Sequence, residues 1–321
     1  MIYFTEIGKL GRLGNQMFQY AALVAVAENF NYEFQIDFTA TELSRAFILS
    51  AIDQKLVPSQ VFSFKEKPHT FDKNLFLIKD NTDIEGFFQS FKYFENCQER
   101  IRSEFKFQQG IELIAKSKIQ AIKEGKQLVA VHVRRGDYVT RDNNIFTQDA
   151  IKLCQLNYYL KAMSLFENEN IKFVIFSDDI SWCKQNIRTN CVKSSSLVYV
   201  EGNNQYVDLC MMTLCDHNII STSTFGWWGA WLNSNSKKKI IAPRRWFGLM
   251  WGNNTKDLYY DNWIVIGSTT DHIKYWIIEA LSFLRIRNLV YQILIRIKFI
   301  LFHPQFAINS LKKRVKNLLF R

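Results

Sequence analysis

The chain has 321 residues, 48% apolar and 15% aromatic, with only 4 prolines. This composition excludes a disordered or collagen-like chain and allows two ordinary domains with a large core. The formal net charge is +11, but residues 271–321 carry ten Lys or Arg against Asp271 and Glu279, so the body is near +3 and the basic character belongs to the tail.

In chain order, "IYFTEI" (2–7) predicts an opening strand, "GRLGNQ" (11–16) a glycine-flanked turn, "MFQYAALVAVAENF" (17–30) a helix and "EFQIDF" (33–38) a second short strand. Residues 60–107 are rich in phenylalanine, which reads first as core packing and second as an acceptor-binding platform. From about residue 125 the pattern alternates. Apolar strands are expected at 127–133, 171–177, 196–200, 217–221 and 238–243, with helices at 147–168, 179–188, 205–215 and 226–235. Such alternation makes a parallel sheet covered on both faces. Ligands bind such sheets at the carboxyl ends of the strands. That rule gathers Arg134, Arg135 and Asp137, then Ser177, Asp178 and Asp179, then Ser221 to Phe225 around one crevice.

Each group has a functional and a structural reading. "AVHVRRGDYV" (130–139) puts two permanent cations at a strand end. Paired guanidiniums suit a diphosphate; a structural Arg135–Asp137 ion pair is the alternative. His132 shares a strand face with Arg134. "STSTFGWWGAW" (221–231) ends a strand in four hydroxyls and begins a helix. That is an anion site, or simple N-capping by Ser223 or Thr224, with Trp227, Trp228 and Trp231 packing the helix. "FSDD" (176–179) suggests a metal only weakly, because no third ligand stands at a suitable spacing; an N-cap at Asp178 or Asp179 is the plainer account. Asp208 lies in the apolar helical pattern "QYVDLCMMTLC" and needs a partner there.

Six cysteines (97, 154, 183, 191, 210, 215) show no zinc-ligand spacing and read as reduced thiols. No basic n-region leads into an apolar core at the start, so a cytoplasmic protein is expected, and the Asn253–Thr255 sequon is taken as chance. The segment 271–321 is apolar but interrupted by Arg285, Arg287, Arg296 and Lys298. It is expected to be a basic amphipathic helical extension that lies on an anionic membrane surface or packs on the body. Nucleic-acid binding is set aside, since the basic residues cluster in that apolar tail without an RNA-binding motif.

Taken in order, "GRLGNQMFQYA", "VHVRRGDYV", "FSDD" and "STSTFGWWGAWL" resemble the bacterial α-1,2-fucosyltransferases of glycosyltransferase family 11 over about residues 3–247. The resemblance implies a GT-B architecture, two Rossmann-like domains facing a cleft, here 1–122 and 123–268, followed by the tail 269–321. It implies GDP-β-L-fucose as donor, a galactoside or related glycan sugar as acceptor, and inverting transfer without a metal or cofactor. By the same likeness Arg134 contacts the β-phosphate and His132 the nucleoside side, and Asp208 reads the guanine. Arg135, Ser177, Asp178, Ser223, Thr224 and Phe225 complete the donor site, while Gly11, Asn15 and Gln16 line the cleft from the first domain. Asp137 is the candidate base. Gly226 departs from the pattern, where many relatives carry serine.

Overall fold

The computed structural model describes residues 1–54, 61–67, 70–140, 153–166, 170–188, 196–247 and 256–267. The expected basic helix, Cys191 and the sequon lie outside the described residues. Residues Met1–Gly267 form one compact unit.

Two wholly parallel sheets organise this unit. The first comprises β1 (Ile2–Tyr3), β2 (Phe34–Ile36), β3 (Ile52–Asp53), β4 (Phe62–Lys65) and β5 (Thr82–Glu85), in the order β3-β2-β1-β5-β4. The second comprises β6 (Gln127–Val133), β7 (Ile171–Ser177), β8 (Ser196–Tyr199), β9 (His217–Ile219), β10 (Ile240–Pro243) and β11 (Ile264–Ile266), in the order β11-β10-β9-β6-β7-β8. The strand direction of winding therefore reverses between β6 and β9, the dinucleotide-fold arrangement with its ligand crevice at the reversal. In the first sheet β5 returns to lie beside β1. The expected α/β class with parallel sheets is present.

Strands β6 and β7 match the expected bounds because they are buried on both faces. Val129, Val131 and Val133 enter one apolar cluster with Tyr159, Met163 and Phe173; Leu128 and Ala130 enter another with Val174, Val207 and Met211. In the expected helical stretches the helices observed are Leu156–Ser164, Ile180–Asn186, Gln205–Thr213 and Thr224–Leu232, shorter than the expected spans, and a further short helix, Gly136–Thr140, follows β6. The expected start at 147 lies outside the described residues.

The first long helix runs Leu13–Phe30 and is buried along nearly its whole length, so it is a core helix without a solvent face. It ends at Asn31, whose left-handed φ of 53° returns the N–H to the last carbonyls. The expected turn "GRLGNQ" is corrected here. Only Gly11 and Arg12 remain outside the helix, and Gly14, Asn15 and Gln16 form its first turn. The reason is a close approach. A Cβ on Gly14 would stand 2.5 Å from the backbone nitrogen of Phe225, so this glycine serves helix packing and not a turn. Trp228 seals the contact by donating its indole N–H to Gly14 O at 3.1 Å.

A single buried cluster contains Ile2, Phe18, Phe94, Trp227, Trp228, Trp246 and Trp263. It spans the first sheet, the long helix, the tryptophan helix and the chain after β10. The three tryptophans of Thr224–Leu232 are core, as expected. Of the phenylalanines of 60–107, Phe88, Phe91, Phe94 and Phe105 are buried core and Phe64, Phe71, Phe76 and Phe107 pack partly buried against it, whereas Phe62 and Phe87 are exposed.

Candidate active site

The strand ends converge on a cleft of about 480 Å³. From the second sheet it is lined by His132, Arg134, Asp137, Phe176, Ser177, Asp178, Asp208 and Thr222 to Phe225, and from the first by Gly11 to Asn15 and Gln89. The segments after β6 and β9, which flank the reversal point, supply Arg134, Asp137 and Thr222 to Phe225. Of the residues expected from sequence, His132, Arg134, Asp137, Ser177, Asp178, Asp208, Ser223, Thr224, Phe225, Gly11 and Asn15 lie on this lining. Arg135 and Gln16 do not.

The two arginines part company because successive side chains beyond a strand turn to opposite sides. Arg134 reaches the cleft, where its guanidinium bridges Asp137 at 2.6 Å and Asp178 at 3.0 Å. Arg135 turns away. It lies 4.0 Å over the Trp182 ring, pairs with Asp179 at 3.3 Å, and donates its backbone N–H to Asp178 Oδ1 at 2.8 Å. The Arg135–Asp137 ion pair weighed from sequence is thus replaced by two pairs, Arg134–Asp137 and Arg135–Asp179. The pair of acids in "FSDD" divides likewise. Asp179 caps the helix Ile180–Asn186 by accepting from Trp182 N at 3.1 Å, while Asp178 faces Arg134. Ser177 Oγ accepts from Asp179 N at 3.0 Å and so orders the same turn.

His132 is buried beneath this layer, its Nδ1 2.9 Å from Ser221 Oγ and its ring 5.5 Å from that of Phe225. Burial, helped by the Arg134 charge, pushes its pKa down to about 3, so the imidazole is neutral. A Cβ on residue 226 would stand 2.6 Å from His132 Nδ1, so the glycine found there makes room for the ring. Asp208 is held by Asn203 Nδ2 at 2.8 Å; burial raises its pKa, and the Asn203 hydrogen bond opposes the rise.

The helix Thr224–Leu232 begins on the cleft without a side-chain cap. Ser223 occupies the capping position but makes no capping bond, and Thr224 Oγ1 instead donates to Asn15 Oδ1 at 2.9 Å. Neither hydroxyl therefore satisfies the capping role weighed from sequence. Asn15 Oδ1 also accepts from Gln89 Nε2 at 3.0 Å, tying both sides of the cleft together. Gln16 is buried behind the surface, accepting from Glu42 N at 2.8 Å and donating to Gly11 O at 3.3 Å. The same Glu42 carboxylate takes Leu13 N at 3.1 Å and Gln205 Nε2 at 3.0 Å.

Sequence reasoning missed Arg12, Gln89, Gln205 and Trp246 on the lining. Arg12 is exposed and makes no ion pair among the described residues. The cleft thus holds Arg12 and Arg134 against Asp137, Asp178 and Asp208, and Arg134 is already matched. Among the described residues no group of three His, Cys, Asp or Glu is disposed to hold a metal ion. None of their helices is long and apolar enough to cross a membrane. Cys97, Cys154, Cys183, Cys210 and Cys215 are free thiols.

A family model described as glycosyl transferase family 11 matches residues 3–267. An alpha-1,2-colitosyltransferase of Escherichia coli is 30% identical over 266 residues, which cover 74% of this chain and 90% of that protein. The O-antigen biosynthesis glycosyltransferase WbnK of Escherichia coli is 34% identical over 152 residues, 45% of this chain and 46% of that protein. Galactoside alpha-(1,2)-fucosyltransferase 1 of Alouatta belzebul is 31% identical over 251 residues, 69% of this chain and 63% of that protein. The match thus spans less than two thirds of the last two relatives. Among solved structures, NodZ alpha-1,6-fucosyltransferase soaked with GDP-fucose shows a distant likeness: 12% identity and a TM-score of 0.46, covering 72% of this chain and 92% of that one.

Proposed function

The chain belongs to glycosyltransferase family 11, and from that premise we propose that it transfers L-fucose from GDP-β-L-fucose to the 2-hydroxyl of a galactoside or related sugar, forming an α-1,2 linkage. The observation that carries this reading is the meeting of Arg134, His132, Asp208 and the uncapped start of Thr224–Leu232 in one cleft, at the reversal point of a dinucleotide-type sheet.

A β-linked donor becomes an α-linked product by attack on the face away from the leaving group. Positive charge develops at the anomeric carbon and negative charge on the departing GDP. Arg134, held rigid by Asp137 and Asp178, stabilises the diphosphate without reorganising. The free amides at the start of Thr224–Leu232 add a positive dipole end. Arg12, from the opposite wall, brings the cation whose charge is not already matched. Asp208 accepts the two N–H donors on the guanine edge. Neutral His132 packs under the nucleotide with Phe225 and does not exchange protons. Arg135 acts through Asp178, whose oxygen it fixes. Asp137, on the cleft wall, is the candidate to take the acceptor proton late in the reaction. With two arginines and a helix start opposite the leaving group, a divalent cation is not required in this scheme.

The Escherichia coli relative named as an alpha-1,2-colitosyltransferase, matched over 90% of its length, favours a second reading in which the donor sugar is colitose. Incubation with GDP-fucose or GDP-colitose and a panel of β-galactosides, with the product linkage read by NMR, separates the two. Titration with GDP, UDP and ADP tests the nucleotide. Tighter binding of UDP or ADP than of GDP would overturn the assignment of Asp208.

A further inference from the structure

In-line displacement with inversion puts the acceptor across the donor sugar from the diphosphate, which is the wall built by the first sheet. In that sheet β1 and β5 are neighbours. The loops that follow these two strands both reach the cleft, one through Gly11 and Arg12 and the other through Gln89. Resting on the transferase reading above, we propose that the loop 86–90 is the acceptor-binding edge of the cleft, with Phe87 stacking on the acceptor sugar and Glu66 as the positioning residue behind it.

The loop is over-determined for a surface turn. Glu66, 9% exposed, directs Oε2 at two successive backbone amides, Phe87 N at 2.9 Å and Phe88 N at 2.7 Å. Its Oε1 accepts from Tyr93 OH at 2.8 Å, and Tyr93 OH in turn accepts from Asp72 N at 2.9 Å. Burying a carboxylate is expensive, and here burial raises its pKa to about 7. Gln19 Nε2 adds a fourth tie, to Gly86 O at 3.1 Å. These bonds hold Phe88 at a φ of 51°, a left-handed conformation that phenylalanine rarely adopts. Its ring is fully buried, 5.7 Å from Phe4 and 5.3 Å from Tyr93.

The neighbour on each side is treated differently. Gln89 lines the cleft and reaches Asn15. Phe87 keeps 41% of its surface in solvent. Phe87 itself stands outside the cleft lining, two residues from Gln89, which is on it, whereas the other exposed phenylalanine among the described residues, Phe62, lies under Lys79. Strain and buried charge spent on a turn that leaves an aromatic ring in water mark a contact surface rather than packing. The C–H face of a pyranoside is the chemistry such a ring fits, with Gln89 supplying a nearby hydrogen-bonding amide.

The test compares steady-state transfer from GDP-fucose to lactose, with GDP affinity measured by calorimetry. Transfer by the wild-type protein checks the underlying activity on its own, before any variant is compared. Phe87→Ala is expected to raise the lactose KM about three- to tenfold while the GDP Kd stays constant, and Phe87→Trp to keep the wild-type KM. Glu66→Ala is expected to raise the lactose KM as well. Glu66→Gln, which still offers one oxygen to the two amides, is expected to restore most of it. Because Phe87 is exposed, its variants fold. An unchanged lactose KM in Phe87→Ala, or a GDP Kd that rises in parallel with it, overturns the proposal.

Discussion

Replacing Arg134 by alanine removes more than one hydrogen-bond donor. The guanidinium stands between Asp137 and Asp178, at 2.6 and 3.0 Å. Without it, two carboxylates face the diphosphate with nothing between them. Loss of one preorganised donor costs roughly 10²–10³ in turnover. A carboxylate at roughly 5 Å from a phosphate oxygen, partly screened by solvent, adds on the order of 1–3 kcal/mol of repulsion, a further factor of about 10–100. The sum is a fall of roughly 10³–10⁵ in transfer rate, together with weaker GDP binding. Asp178→Asn sharpens the test. In the wild-type background it loosens Arg134 and lowers activity. In the Arg134→Ala background it removes a repelling charge, yet keeps an oxygen for Arg135 N, now 2.8 Å from Asp178 Oδ1. The double variant should therefore bind GDP about tenfold more tightly than Arg134→Ala alone. Calorimetric GDP titration of the four proteins completes the cycle. Wild-type GDP affinity in Arg134→Ala, or no recovery in the double variant, refutes the reasoning.

His132, with its pKa pushed down to about 3, stays neutral, so its imidazole NMR signals should not titrate between pH 5 and 8. Its unfolded form takes up a proton first as the pH falls below about 6.5, so its contribution to stability is lost in acid. Glu66 has the opposite sign. With its pKa raised to about 7, its contribution worsens as the pH climbs from the ordinary carboxylate range to about 7, because the unfolded chain releases the proton first. The loss is on the order of 3 kcal/mol, and urea midpoints at pH 5 and pH 8 should differ less in Glu66→Gln than in wild type. Gly226→Ala places a methyl 2.6 Å from His132 Nδ1 and should lower stability by about 1–3 kcal/mol in thermal melts, with weaker GDP binding. Transfer should persist in excess EDTA; a strict requirement for Mn²⁺ or Mg²⁺ would reassign Asp178 and Asp179 as ligands.

What the sequence reveals follows burial. Gln127–Val133 and Ile171–Ser177 were readable to the residue, because strands covered on both faces are continuous apolar runs ended by charge. The strand-end rule then found His132, Arg134, Asp178 and Thr224, whose place depends only on local order. It also pointed to Arg135, although the alternation that puts Arg134 on the face of His132 sends Arg135 to the other side, where Trp182 receives it. The start of the first helix was misjudged because Gly14 looks like a turn residue. Its reason is contact with Phe225, 211 residues later. Arg12, Gln89 and Gln205 reach the cleft through tertiary convergence and have no local signal. Trp246 follows β10 and could have been found by the strand-end rule.

The uninterrupted apolar cluster from Ile2 to Trp263 has a bearing on turnover. Swinging the two sheets apart like a clamshell would pull Phe18 from Trp227 and Trp228, now 4.7 and 4.9 Å ring to ring, and return all three to water. Each large side chain re-exposed costs about 1.5–3 kcal/mol, so wide hinge opening of the two sheets is strongly disfavoured. On the transferase reading proposed above, donor entry and product exit are therefore expected to use local displacement of side chains rather than a hinge between the sheets.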